Sequence, residues 1–320
     1  PVGHAVRSFE ECTQAAGDVT VLTALLEARP LLANLAEVRA LMDAIGVAKV
    51  WPAADFFQAK RRELEVRHAR FGDTADNLEP NIKDGPGGLR DVQNLRWMAR
   101  RVLGVYGTEE LIALGQLGVD EHATLERERR TLSRLRFGLH LVAGKAEERL
   151  RFDHQKTLAA RLHHVDEADN PLVEKMMQEF YRSASVVQRI SERMLQRFEE
   201  QIEGEGELVP VDAEFATRRG YLVARDDVWP GGDLARVFDL FAVWADHASL
   251  RGLHSQTARA LAESLHALPA WRQAPMALRE QFMALLRGPV PVRTLERMAR
   301  LGVLGVWIPE FANVTGRMQF

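Results

Sequence analysis

Two stretches of the chain carry an apolar rhythm long enough to specify helices by themselves. Leu125, Leu132, Leu135, Leu139 and Val142 step by seven, three, four and three, and Val173, Met177, Phe180, Ala184, Val187, Met194 and Phe198 keep a nearly unbroken four-three beat. Side chains at those spacings share one helix face, so the pattern predicts two long helices packed as a bundle. The methionines and aromatics of the second read as core, since thioethers and rings fill irregular interior space. On the polar face of the first, Glu126 and Arg130 stand at i,i+4 and predict an ion pair worth roughly 0.2–0.5 kcal/mol.

Weaker patterns surround these two. Helices are expected over Ala33–Ile45, closed by Gly46, over Ala53–Phe71 after Pro52, and from Leu89 through Leu95, Met98 and Val102 to Gly104. The short β-branched run Asp18–Thr23 predicts a strand, and Leu25–Leu32 either prolongs it or begins a helix. Asn170-Pro171 punctuates the start of the second long helix, and Glu203–Glu207 with two glycines ends it. Leu208–Val211 and Tyr221–Ala224, flanked by turn residues, predict a small hairpin. From Pro230 the spacing is helical again, with breaks near Gly252, Pro269, Pro275 and Gly288-Pro289. No internal repeat or low-complexity tract interrupts this mainly α reading.

Composition narrows the class. With 320 residues, 46% hydrophobic and 27% charged, the chain can bury more than one core as an ordinary globular protein. A formal charge of −3 gives no global field toward nucleic acid or an anionic membrane, and no apolar run of about 18 residues predicts a membrane span. The single cysteine, Cys12, excludes an internal disulfide and a CxxC metal site, and it fits a cytoplasmic location. The ends at Pro1 and Phe320 read as those of an excised segment.

Common catalytic signatures are missing from the sequence: no GxxxxGK[ST], HExxH or GxSxG, no Asp-x-Asp pair, and no His-Asp dipeptide. One string carries chemistry. In Lys83-Asp84-Gly85-Pro86-Gly87-Gly88-Leu89-Arg90-Asp91, glycines let the backbone approach a neighbour closely, and a helix opening at Leu89 would aim free amides at an anion near Gly87 and Gly88. Lys83 and Arg90 add charge suited to phosphate. From the residues alone, the same string reads more readily as a tight turn with a helix cap, Arg90 and Asp91 pairing structurally. His163-His164-Val165-Asp166 offers metal-ligating types without a partner motif, Trp229 and Trp307 read as packing anchors, and Cys12 has no base beside it.

The segment from Asn77 to Asp91 closely resembles the signature of the bacterial protein-PII uridylyltransferase/uridylyl-removing family. Other segments resemble the family in the same order: Val2–Ser8 with Glu10–Cys12, Asp18–Thr20 with Leu25–Arg29, Leu135–Phe137 with Leu139–Leu141, then Arg149-Leu150 and Phe152–Gln155, and finally Gly302–Gly305 with Ile308–Phe311 and Met318–Phe320. The resemblance implies a fold in which a helical bundle domain follows the tail of an α/β polymerase-β-like nucleotidyltransferase domain. It divides the chain into 1–50, the end of the transferase domain, 51–205, the helical domain, and 206–320, a helical segment leading toward a hydrolase domain. It implies transfer of UMP from UTP to a tyrosine of the nitrogen regulatory protein PII, with Mg²⁺, and with glutamine as effector through parts outside this chain. Asp18 would be the catalytic, metal-binding carboxylate, and Lys83, Gly85, Gly87, Gly88, Arg90 and Asp91 would form the nucleotide or active-site loop. Two alternatives stay open: a glutamine-synthetase adenylyltransferase-like enzyme, whose family shows a similar glycine-rich string, and a non-catalytic helical module.

Overall fold

The structure is a computed structural model and describes residues 4–72, 77–162 and 172–314. His163-His164-Val165-Asp166, Asn170-Pro171 and Met318-Gln319-Phe320 lie outside them. Three short helices come first, α1 (Phe9–Ala15), α2 (Val19–Leu26) and α3 (Leu35–Ala44). Polar caps start each: Ser8 with Glu11, and Asn34 with Glu37, form capping boxes, while Asp18 accepts from the amides of Thr20 and Val21. The strand expected at Asp18–Thr23 is therefore a capped helix. Its β-branched residues are tolerated because Leu22, Thr23 and Leu26 turn one face into the interior, and burial outweighs weak helix propensity.

The middle of the chain is α4 (Ala53–Ala69), α5 (Leu89–Leu103), α6 (Thr108–Ala113), α7 (Val119–Ala143), α8 (Phe152–Arg161) and α9 (Leu172–Glu203). Helix α9 is the hub, packing against α4, α5, α7 and α8. Its seam residues Met177, Phe180, Ala184, Val187, Met194 and Phe198 are buried, joined by Ile190, and so are Leu125, Leu132, Leu135 and Leu139 of α7. Burying each large side chain contributes roughly 1.5–3 kcal/mol. One hydrophobic core runs from Ala16 to Phe198, so Leu22, Leu26, Ile45 and Val50 of the first fifty residues share the interior of the bundle. Glu126 does not pair with Arg130; it reaches Arg129 at 2.8 Å and Arg96 of α5 at 2.9 Å, a tie that also holds two helices together.

A second core occupies Phe215 to Trp307. It is built from β1 (Leu208–Pro210), β2 (Phe215–Arg218), β3 (Tyr221–Ala224), α10 (Ala235–Asp246), β4 (Gly252–Leu253), α11 (Ser255–Ser264), α12 (Met276–Arg287), α13 (Pro291–Arg300), α14 (Val303–Trp307) and α15 (Pro309–Val314). The sheet order is β1-β2-β3-β4, with β4 parallel to β3. The expected hairpin differs in its partners: Leu208–Pro210 and Tyr221–Ala224 each pair with the intervening Phe215–Arg218, whose short, half-polar run gave little strand signal. Trp229 and Trp307 are buried in this core, and Trp307 meets Phe238 edge-on at 4.8 Å. The fold is mostly helical with a small sheet. Among the described residues, no helix is long and apolar enough to cross a membrane.

Candidate functional site

The glycine-rich string folds back on itself. Asn81 Oδ1 accepts from the amides of Lys83 (3.0 Å) and Asp84 (2.7 Å), which starts the turn. The amides of Leu89 and Arg90, expected to be free, donate to the carbonyls of Ile82 (3.1 Å) and Lys83 (2.8 Å). The first turn of α5 thus spends its donors inside the loop rather than on an anion. Gly87 has φ +72°, and a Cβ there would lie 2.1 Å from the carbonyl oxygen of Ala184 on α9. Gly88 is enclosed by the carbonyls of Ile82 and Lys83, each 2.7 Å from a virtual Cβ. The close neighbour these glycines admit is the protein's own backbone.

Asp91 locks the turn from below. It is 1% exposed and accepts from Arg67 Nη2 at 2.6 Å and from the Gly87 amide at 2.7 Å, with His68 Nε2 at 3.0 Å. Arg67 Nη1 donates to the Asp84 carbonyl at 2.7 Å, so α4 and α5 clamp the loop between them. Arg67 and His68 escaped the sequence reading because their partner lies more than twenty positions away, with no local spacing to link them. Arg90 does not pair with Asp91; it approaches Asp84 at 3.4 Å and donates to Gln93 at 2.8 Å. Lys83 turns elsewhere, 3.8 Å from Glu148, which also holds Arg136. Burial would raise the Glu148 carboxyl, but the hydrogen bonds and charge of Arg136 bring it below the usual range.

Above the turn opens a cleft of about 750 Å³. One wall is Lys60, Arg62, Arg67, Arg70, Asp84, Arg90 and Trp97; the other is Thr20, Thr23, Ala24 and Glu27 of α2. Five cationic side chains face three carboxylates there, counting Glu63. The Trp97 indole has Lys60 Nζ 4.5 Å and the Arg90 guanidinium 5.5 Å from its centre, a geometry that holds both cations by attraction to the ring. Lys60 is 2% exposed and bonded to Glu63 at 2.6 Å, and burial lowers its pKa. The structure therefore brings Arg90 to the cleft, keeps Gly85, Gly87, Gly88 and Asp91 buried beneath it, and sends Lys83 toward Glu148.

Asp18 stands at the start of α2, two residues before the cleft-lining Thr20. Hydrogen bonds from the amides of Thr20 and Val21 hold its carboxyl below the ordinary value. Among the described residues, no three His, Cys, Asp or Glu side chains come together as a metal site. Mg²⁺ requires near-octahedral oxygen ligation, so these residues alone do not compose its site, and Asp18 offers one carboxylate at most.

Comparison with known proteins places this geometry in a lineage. Residues 55–195 match the family profile described as GlnD PII-uridylyltransferase, and residues 215–307 match that of the uridylyltransferase GlnD third domain. Over its full length the chain is 63% identical to the bifunctional uridylyltransferase/uridylyl-removing enzyme of Xanthomonas campestris pv. campestris (strain B100), of which it covers 37%. It is 36% identical to the protein of that name from Stutzerimonas stutzeri (strain A1501), in an alignment covering 99% of this chain and 36% of the relative. No solved structure matches. The chain thus spans little more than a third of the length of these curated relatives.

Proposed function

The chain belongs to the GlnD uridylyltransferase family, and on that premise we propose that it supplies one wall of the site where UMP passes from UTP to a tyrosine of the regulatory protein PII. The observation that carries this reading is the basic cleft between α2 and the α4–α5 pair. Its excess of cations suits a triphosphate, and a preorganised cationic wall stabilises charge developing on phosphoryl oxygens without reorganising. Arg62, Arg70 and Arg90 would meet the phosphates. Gly85, Gly87, Gly88 and Asp91 would act indirectly, by fixing the turn from which Arg90 rises, and Lys83 by tying that turn to Glu148. The relatives' names favour this reading over adenylyl transfer to glutamine synthetase.

The polymerase-β-like architecture, Mg²⁺ with Asp18 as one ligand, the response to glutamine, and the cytoplasmic setting belong to this proposal through the family resemblance. Since the described residues bring no metal-ligating cluster together, no chemical step is derived through the cation, and the chain alone is expected not to transfer UMP. A helical scaffold role is the second reading, favoured by the way the glycine turn satisfies its own amides.

Transfer of labelled UMP to PII tests both readings. In the full-length enzyme, Arg70→Gln and Arg90→Gln should each lower kcat/KM for UTP by about tenfold, equivalent to 1.4 kcal/mol, and spare uridylyl removal. Undiminished transfer in both variants would leave the chain as scaffold.

A further inference from the structure

A second concave site lies where the two cores meet. It is a cavity of about 340 Å³ between α4 and α9 on one side and β3, β4, α11 and α13 on the other. Six arginines and three glutamates line it. Two of the acids are consumed by one base, because Arg61 bonds Glu199 at 3.0 Å and Glu65 at 3.3 Å. Arg193 is paired with Glu121, outside the cavity lining. Among the described residues, Arg189, Arg251, Arg297 and Arg300 have no carboxylate within ion-pair distance.

Two of those four are held rigidly. Arg297 lies 4.1 Å over the Trp244 ring and donates to the Trp244 carbonyl at 2.8 Å; Arg251 lies 4.8 Å over Tyr221. Stacking leaves the edges of a guanidinium available as donors. A separate observation points the same way. Gln196 is 6% exposed and lines the cavity, and its Nε2 donor has no hydrogen-bond partner. A buried amide donor without an acceptor is costly, and a turn of the Gln196 side chain would carry this donor to an anion in the cavity. The concentration of charge carries its own cost: burial, with repulsion from Arg293 and Arg300, brings the Arg297 pKa down to about 10.

We propose that this inter-core cavity is a binding site for a small polyphosphate anion, either inorganic or the phosphate chain of a nucleotide. The volume lies at the lower end of the range for small-molecule pockets, and planar guanidiniums match phosphate oxygens in pairs. Arg189 and Gln196 from α9 would meet the ligand from one core, Arg251, Arg297 and Arg300 from the other, so the ligand would bridge them. The assignment does not depend on the uridylyl-transfer reading.

Titration calorimetry on the 320-residue chain at low ionic strength, with inorganic pyrophosphate and ATP in separate arms, is the test. Saturable pyrophosphate binding is expected to persist in an Arg70→Gln background, which weakens the first cleft, and adding Arg251→Gln or Arg300→Gln to that background should weaken it about tenfold, or 1.4 kcal/mol. Both target side chains are exposed, and Arg251 precedes β4 while Arg300 ends α13, so loss of fold in one variant leaves the other informative. Tighter binding of ATP would assign a nucleotide; equal binding would assign the phosphate chain alone. Absence of saturable heat in both arms overturns the proposal. So does binding abolished by Arg70→Gln alone, which would move the anion to the first cleft.

Discussion

Substituting Gly87 by alanine tests whether the glycine turn is a structural joint. Two costs can be worked from the geometry. An alanine at φ +72° is held in left-handed backbone, which costs about 1–2 kcal/mol. Its methyl would lie 2.1 Å from the Ala184 carbonyl oxygen and 2.6 Å from the carbonyl carbon, far inside the 3.0 Å that Cβ atoms essentially never breach. The obstacle is backbone in the middle of α9, so the turn must move away, and overpacking of this kind costs about 1–3 kcal/mol more. Together these predict a loss of about 2–5 kcal/mol, a fall of roughly 4–20 °C in Tm for a unit of this size. Gly104→Ala is the matched control, because Gly104 has φ +71° but a Cβ there meets nothing within 4 Å; it carries the conformational cost alone. Thermal and urea unfolding of both variants, followed by circular dichroism, decide the matter. If Gly87→Ala melts no lower than Gly104→Ala, the contact with α9 does not hold the turn in place.

Three other outcomes follow from the packing and charge of the molecule. Asp91→Asn strips the carboxylate from buried Arg67 and should cost about 3–5 kcal/mol in urea unfolding, as for other buried pairs broken on one side. Asp18→Asn should melt like the parent chain, because asparagine accepts from the same amides, whereas Asp18→Ala should melt lower; in the full-length enzyme, lost uridylylation with an unchanged melt in Asp18→Asn would show that the charge matters beyond the cap. Glu192 is open to solvent at the inter-core cavity, but the protein packed around it still strips enough water to raise its pKa above 4.5 despite Arg300 nearby. Its folded form therefore holds a proton more tightly than the unfolded chain, so its contribution is present below pH 4.5 and lost as pH rises through the raised value. Glu192→Gln should flatten that part of the stability profile measured by urea unfolding.

What could be read from the sequence was set by the range of the interaction. The seams of α7 and α9 were legible because a helix repeats its buried face every three or four residues, and Leu132 or Phe180 needs no distant partner to be identified. The strand expected at Asp18 failed because β-branched residues suggested extended backbone, while the decisive fact was burial of Leu22 and Leu26 against residues far along the chain. The glycine string was recognisable as special, but not what its glycines approach: Gly87 meets Ala184, ninety-seven positions away. The basic cleft was hidden for the same reason. No spacing in the sequence links Lys60 on α4 to Arg90 and Trp97 on α5, and only packing of α4 on α5 sets both cations around one indole.

Helix α4 decides how the two charged cavities relate. Consecutive helical residues point about 100° apart, and the neighbours Lys60 and Arg61 face different cavities: Lys60 the first, toward Trp97, and Arg61 the second, toward Glu199 on α9. The helix is therefore a partition, with Phe56 and Phe57 buried in the core at its amino-terminal end and Arg67 bound to Asp91 near the other. Held at both ends, it keeps the charges of the two cavities apart along most of its length.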